Sequence, residues 1–317
     1  MSSIMNLCIL SLDKGQDFGL YGKGKNSKEE EFDWMVGCDG HGSNQVINIL
    51  RTIDWNVVMS QDDSLQEVIN IINRFGIQYQ SSGSTYIEAK IFKDRVETCS
   101  VGDSKIMVFV DNKLYYENKE HNLFNPSEKE RLQERIDEGS MSVEEVHSIP
   151  HVLTPENITT QTKHYYNFNH TYKLAMTQSL GHNNVTGIVP ERKNILYTPE
   201  NKIRVLLMSD GVQDIICSES EPEYYEKDIQ NLSVFPCSEI ASLAEQRWKQ
   251  KWQYYLKKDD ELFMSYCFAT PSASRSGFDD VLVVTCDIYP GKTEEEKLIE
   301  EVINQAIEQA LEQLREN

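Results

Sequence analysis

Runs of apolar residues in this chain are short, and polar or glycine-containing turns separate them, so the pattern favours strands over long buried helices. Residues 4–10, 34–38, 84–91, 96–101 and 105–110 each read as a strand. The pair Asp111-Asn112 predicts a turn into a further strand at 113–116, completing an antiparallel meander. Two more strands are predicted at 203–208 and 281–286. Apolar spacing of three and four residues predicts helices over 44–59, 64–75, 127–138 and 238–256. For the third helix Ser127 is the expected N-cap, with Pro126 before it and Glu130 three residues on, and Gly139 is the expected stop.

The polar stretch 140–169 shows neither period and predicts a surface loop or flap, in which His147, His151 and Tyr165 are candidates for substrate contact. Residues 293–315 carry an apolar stripe through Ile299, Val302, Ile303, Ala306 and Ala310. That is an amphipathic helix, which either docks on its own domain or binds a partner or a second copy of the chain. No linker divides what precedes it. The chain therefore reads as one domain over 1–290 followed by a C-terminal helical segment over 291–317.

Hydrophobic residues make up 39% of the chain, enough for a folded core, which excludes a disordered class. No apolar run approaches the roughly 20 residues that span a bilayer, and no basic lead precedes residues 4–10. A cytoplasmic setting is expected, with the nucleus left open. Seven cysteines without a C-x-x-C pair fit reduced thiols better than a disulfide framework or a zinc site. The 51 acids against 31 bases give a formal charge of −20, which repels nucleic acid and anionic lipid and removes both as expected partners. A solvated acidic surface accounts for most of these carboxylates, but not for a few at strand ends.

Asp39 lies just past the strand 34–38, in GCDGHGSN (37–44). Asp210 lies just past 203–208, in LLMSDGVQD, and Asp279 and Asp280 lie just before 281–286. Asp103 sits in the tight connection VGDS, and Asp17 follows the first strand. In an antiparallel sheet the end of one strand and the start of its neighbour share an edge. If these strands are neighbours, four or five carboxylates meet at one rim and repel one another. Divalent cations relieve that conflict, and oxygen-only donors select hard ions such as Mg²⁺ or Mn²⁺. Gly40 and Gly42 let the backbone approach an ion or phosphate, and Gly40 could offer its carbonyl. His41, held between those glycines, is a reasonable general acid.

The order of GCDGHGSN, SSGST (81–85), VGDSKIMVF (101–109), LAMTQSLGH (174–182), LLMSDGVQD (206–214) and GFDDVLVV (277–284) resembles that of the metal-dependent type 2C protein serine/threonine phosphatases, the PPM family. The resemblance spans about Asp17 to Cys286. It implies an α+β fold, a four-layer α-β-β-α sandwich of two antiparallel sheets flanked by helices, with a two-metal site at one end. Position by position, Asp39 resembles the carboxylate that bridges two Mg²⁺ or Mn²⁺ ions, and Gly40 the carbonyl ligand of one of them. Asp210 and Asp279 resemble terminal ligands of the other, and Asp17 the N-terminal acid bound partly through water. Asp103 resembles the acid that, with Asp210, holds a third and weaker ion, while Ser84 and Thr85 support the sheet.

The implied activity is hydrolysis of phosphoserine and phosphothreonine in phosphoprotein substrates, by attack of a water shared between the metals, with His41 protonating the leaving oxygen. Two departures stand out. Many relatives carry an arginine shortly before the N-terminal acid, where it grips the substrate phosphate; here the base is Lys14, a point charge instead of a fork. The final motif, usually Asp-Asn, is Asp279-Asp280, so either acid could be the ligand. Two other functions fit the same residues: a catalytically silent relative that binds regulatory partners, and a hydrolase of small phosphoesters.

Overall fold

The computed structural model describes residues 2–76, 81–122, 124–146, 151–155, 160–161, 165–216, 222–250, 252–258, 261–268 and 279–289. Two antiparallel sheets face each other. In the first the strands run in the order Ser2–Leu10, Val281–Tyr289, Ile203–Met208, Lys105–Val110 and Lys113–Glu117. In the second the order is Leu180–Gly181, Ser82–Ser84, Glu31–Gly42, Tyr86–Ile91, Arg95–Val101 and Glu191–Leu196. Strand Asp17–Lys25 pairs with Glu31–Gly42 beside this path.

Side chains on a strand alternate between its two faces. On Glu31–Gly42, Trp34, Val36 and Cys38 pack outward with Ile47, Leu50, Val58 and Val68 of helices Gln45–Leu50, Trp55–Met59 and Ser64–Arg74. Met35 instead joins Ile87, Val205, Leu207 and Val284 between the sheets. On the first sheet Leu206, Met208, Val281 and Val283 pack outward with Leu232, Ile240 and Ala244 of helices Pro222–Val234 and Cys237–Trp248. Both faces of each sheet are therefore covered, which is why strands such as Ile203–Met208 and Val281–Tyr289 carry apolar residues at successive positions. The expected four-layer α-β-β-α sandwich is the architecture. Near one end the sheets interlock: a Cβ added at Gly19 would stand 2.6 Å from Leu282 Cδ1, and one at its strand partner Gly37 3.0 Å from Leu282 Cδ2.

Several predicted elements differ. The helix expected over 44–59 is two helices, because Asp54 restarts the chain as an N-cap that accepts from Val57 N–H, and Trp55 Nε1 donates to Leu50 O at 3.0 Å. The helix Pro126–Asp137 is capped by Asn125, not Ser127; Asn125 accepts from Ser127 N–H at 3.1 Å, and Pro126 takes the first helical position, where its missing N–H costs nothing. The helix expected over 238–256 ends at Trp248, and Trp252–Lys258 is a strand, in keeping with its aromatic residues. The described part of 140–169 is strand, not irregular loop. Val143–Val146, Tyr165–Phe168 and Tyr172–Leu174 form a three-stranded sheet, and Phe168, Leu174 and Met176 bury against Leu132. His151 and Tyr165 begin the strands His151–Pro155 and Tyr165–Phe168. His147 and the helix expected over 293–315 lie outside the described residues. No helix among the described residues is long and apolar enough to cross a membrane.

Candidate active site

Asp17 is the first residue of its strand and stands directly opposite Asp39 in the pairing with Glu31–Gly42. The two acids share a face with Gly19 and Gly37, so they take over where the core between the sheets ends. Like charges directly opposite on paired strands repel. The first sheet answers from across the gap: Ser209, which follows Ile203–Met208, donates its hydroxyl to Asp17 Oδ2 at 2.8 Å and accepts from Leu282 N–H at 3.0 Å. Burial, and then the charge of Asp39, hold the Asp17 carboxyl well above the ordinary carboxylate range. The Ser209 hydrogen bond opposes this rise, while Asp279 and Asp280 add to it.

A cavity of about 450 Å³ opens at this rim, and Asp39, Gly40, His41, Asp210, Asp279 and Asp280 line it together with Lys14. Sequence-distant acids therefore do meet at one edge. Asp210 opens the short helix Asp210–Gln213, and any Cβ on Gly211 would run into the Asp280 carbonyl, so this turn lies hard against the Asp279–Asp280 backbone. Asp280 is buried, and its two oxygens accept from Asp13 N–H at 2.9 Å and Gln16 N–H at 2.7 Å. It thereby shapes the turn that carries Lys14. Arg51 Nη2 fastens the same turn by donating to Gly15 O at 2.8 Å and Asp17 O at 3.2 Å. Asp279 Oδ1 accepts from Asp280 N–H at 3.0 Å.

Thr85 holds Asp39 from behind. Its hydroxyl accepts from Asp39 N–H at 3.0 Å, and its own N–H donates to Asp39 O at 2.9 Å. Asp103 is buried in the connection between Arg95–Val101 and Lys105–Val110 and is not part of the cavity wall. Cys38, next to Asp39, is fully buried, and burial pushes its thiol above the usual range, so it is no nucleophile.

Mg²⁺ or Mn²⁺ is the cofactor the acids imply. Among the described residues, no group of three or more His, Cys, Asp or Glu side chains could hold a metal ion as it stands. The donor chemistry nevertheless fits a hard cation: the wall offers carboxylates and a glycine carbonyl, and Asp17 registers the repulsion that a cation relieves.

Sequence reasoning missed four residues here. Lys173 and Tyr172, from strand Tyr172–Leu174, and His182 line the same cavity, and Ser209 ties the two sheets together. Lys173 lies far along the chain from the acids, so only the fold reveals it as a second base at the cavity. His182 closes the quoted LAMTQSLGH stretch, where nothing local distinguishes it from a turn residue.

The profile of the protein phosphatase 2C family matches residues 14–230. Two solved structures share the fold at low identity. A C. elegans sex determining protein is 16% identical, with a TM-score of 0.54, and the match covers 91% of this chain and 65% of that one. A serine-threonine phosphatase 2C from Toxoplasma gondii is 15% identical, with a TM-score of 0.51, covering 90% of this chain and 99% of that one. No curated protein sequence matches. Since the family profile accounts for more than half of its length, the chain belongs to the protein phosphatase 2C family.

Proposed function

We propose that the chain is a metal-dependent phosphatase that hydrolyses phosphoserine and phosphothreonine in protein substrates. The observation that carries this is the shared wall of Asp39, Gly40, His41, Asp210 and Asp279 in one cavity with Lys14 beside it. Asp39, the Gly40 carbonyl, Asp210 and Asp279 would hold two Mg²⁺ or Mn²⁺ ions, with Asp17 supporting them. Asp103, off the cavity wall, is left for a third and weaker ion. When bound, such ions supply an activated water and neutralise charge on the phosphoryl oxygens. Asp279 is the better candidate ligand than Asp280, because both Asp280 oxygens already hold the 13–16 turn.

The chain's own contribution is binding, orientation and proton transfer. Lys14, placed by Asp280 and Arg51, and Lys173, which lines the same cavity, attract the substrate phosphate as point charges. His41 donates a proton to the departing serine or threonine oxygen, a role worth roughly 10²–10⁴ in rate. No covalent phosphoenzyme is needed.

The test is hydrolysis of an aryl phosphate and of a phosphoserine peptide with Mn²⁺ or Mg²⁺. Both are expected to be turned over, and both to stop with chelator and in Asp210→Ala. No turnover of either ester would leave the catalytically silent, partner-binding role instead, and turnover confined to small phosphoesters would remove the protein substrate.

A further inference from the structure

His182 is buried, 3% exposed, and packs its ring on that of His41, with centroids 4.9 Å apart and planes inclined at 32°. The strand pairing explains how two residues so far apart in sequence meet. His41 pairs with Gly83, Gly83 pairs with Gly181, and His182 comes next. The rings meet over Gly83, where an added Cβ would stand 2.6 Å from His41 Nε2 and would also strike the His182 ring. The chain reaches this placement through an unfavourable backbone: His182, Asn183 and Asn184 have φ of 46°, 52° and 58°. Left-handed conformations are unfavourable for a non-glycine residue and persist only where surrounding structure fixes them. Here Asn184 Nδ2 donates to Asn73 Oδ1 at 3.0 Å. His182 also meets the Tyr172 ring edge-on, at 5.5 Å and 61°.

We infer that His182 is a positioning residue: backed by Tyr172, it fixes the imidazole of His41 in the orientation from which it protonates the leaving oxygen. This rests on the proposed phosphatase function. A proton donor matters most where the leaving oxygen is a poor one, as in an alkyl ester of serine, and least for a nitrophenyl ester. A ring held loosely loses orientation before it loses chemistry.

The experiment compares His182→Ala and His182→Phe in the full chain, with thermal melts to verify folding. The ratio of kcat on a phosphoserine peptide to kcat on p-nitrophenyl phosphate is expected to fall about tenfold or more in His182→Ala and to recover within about threefold in His182→Phe, which keeps a ring. Independently of activity, the ring-proton NMR resonances of His41 are expected to shift in His182→Ala and to remain shielded by a neighbouring ring in His182→Phe. An unchanged ester ratio, equal losses on both esters, or His41 resonances indifferent to His182→Ala would overturn the inference. If the parent protein hydrolyses neither ester, the phosphatase proposal fails separately, and the His41 resonances alone decide whether His182 orients that ring.

Discussion

The interlock of Leu282 with Gly19 and Gly37 allows a quantitative test of how the two sheets are held beneath the acids. Leu282 is fully buried, so Leu282→Ala removes a core side chain at an expected cost of about 2–5 kcal/mol. Gly19→Ala does the reverse. Its new methyl would stand 2.6 Å from Leu282 Cδ1, 3.0 Å from Leu7 Cδ1 and 3.3 Å from Val284 Cγ2, where ordinary contact begins at 3.4 Å. The neighbours must yield by about 0.8 Å, and overpacking of that kind costs about 1–3 kcal/mol. In the double variant the tightest clash is gone, and the added methyl occupies part of the void. The pair should therefore be less destabilised than the sum of the singles by about 1–3 kcal/mol. Denaturant unfolding in the presence of chelator, followed by two probes that must coincide, gives the four free energies of the cycle. Additivity within about 0.5 kcal/mol would show that Leu282 and Gly19 do not share a contact, and would refute the interlock.

The raised Asp17 carboxyl means that the folded protein holds this proton more tightly than the unfolded chain does. The stability it contributes is complete at low pH and is lost as pH rises through the folded value, so in chelator Asp17→Asn should melt above the parent at about pH 8, with the gap closing toward about pH 4. A gap that does not vary with pH would discard the charge explanation. Thr85→Val leaves the Asp39 N–H without its acceptor and should cost about 1–3 kcal/mol in denaturant unfolding, most of it restored in Thr85→Ser. A valine variant as stable as the parent would show that the hydroxyl does not hold Asp39.

Strands covered on both faces were legible because nearly every position is apolar, as at 203–208, where Arg204 is the exception, and 281–286, where Thr285 is. The rim acids were legible because they sit where those runs stop. Strand Asp17–Lys25 was not, since Gly19, Gly22 and Gly24 dilute its pattern. Its order comes from the partner strand, where Trp34 lies against Gly22 and Phe32 against Gly24 in register. The end of the helix at Trp248 was obscured because Trp252 and Leu256 also satisfy a helical spacing, and pairing with both His151–Pro155 and Glu261–Phe268 settles the strand. Proximity along the chain identified Lys14 as a base for phosphate. His182 reaches the same cavity because Gly181 pairs with the distant Gly83, and Lys173 lies on a hairpin remote in sequence from the acids, so local patterns encode neither placement.

The two walls of the cavity are mounted differently. Lys14 rides on a turn pinned to the sandwich by Asp280 and Arg51, so it keeps a fixed station relative to the acids. Lys173 and Tyr172 ride on a separate three-stranded sheet that leans on Leu132 and, through Tyr172, on His182. The acids and Lys14 thus share one support, and Lys173 another. Changes in the small sheet can alter the lining around Lys173 and Tyr172 without touching the residues that seat the carboxylates.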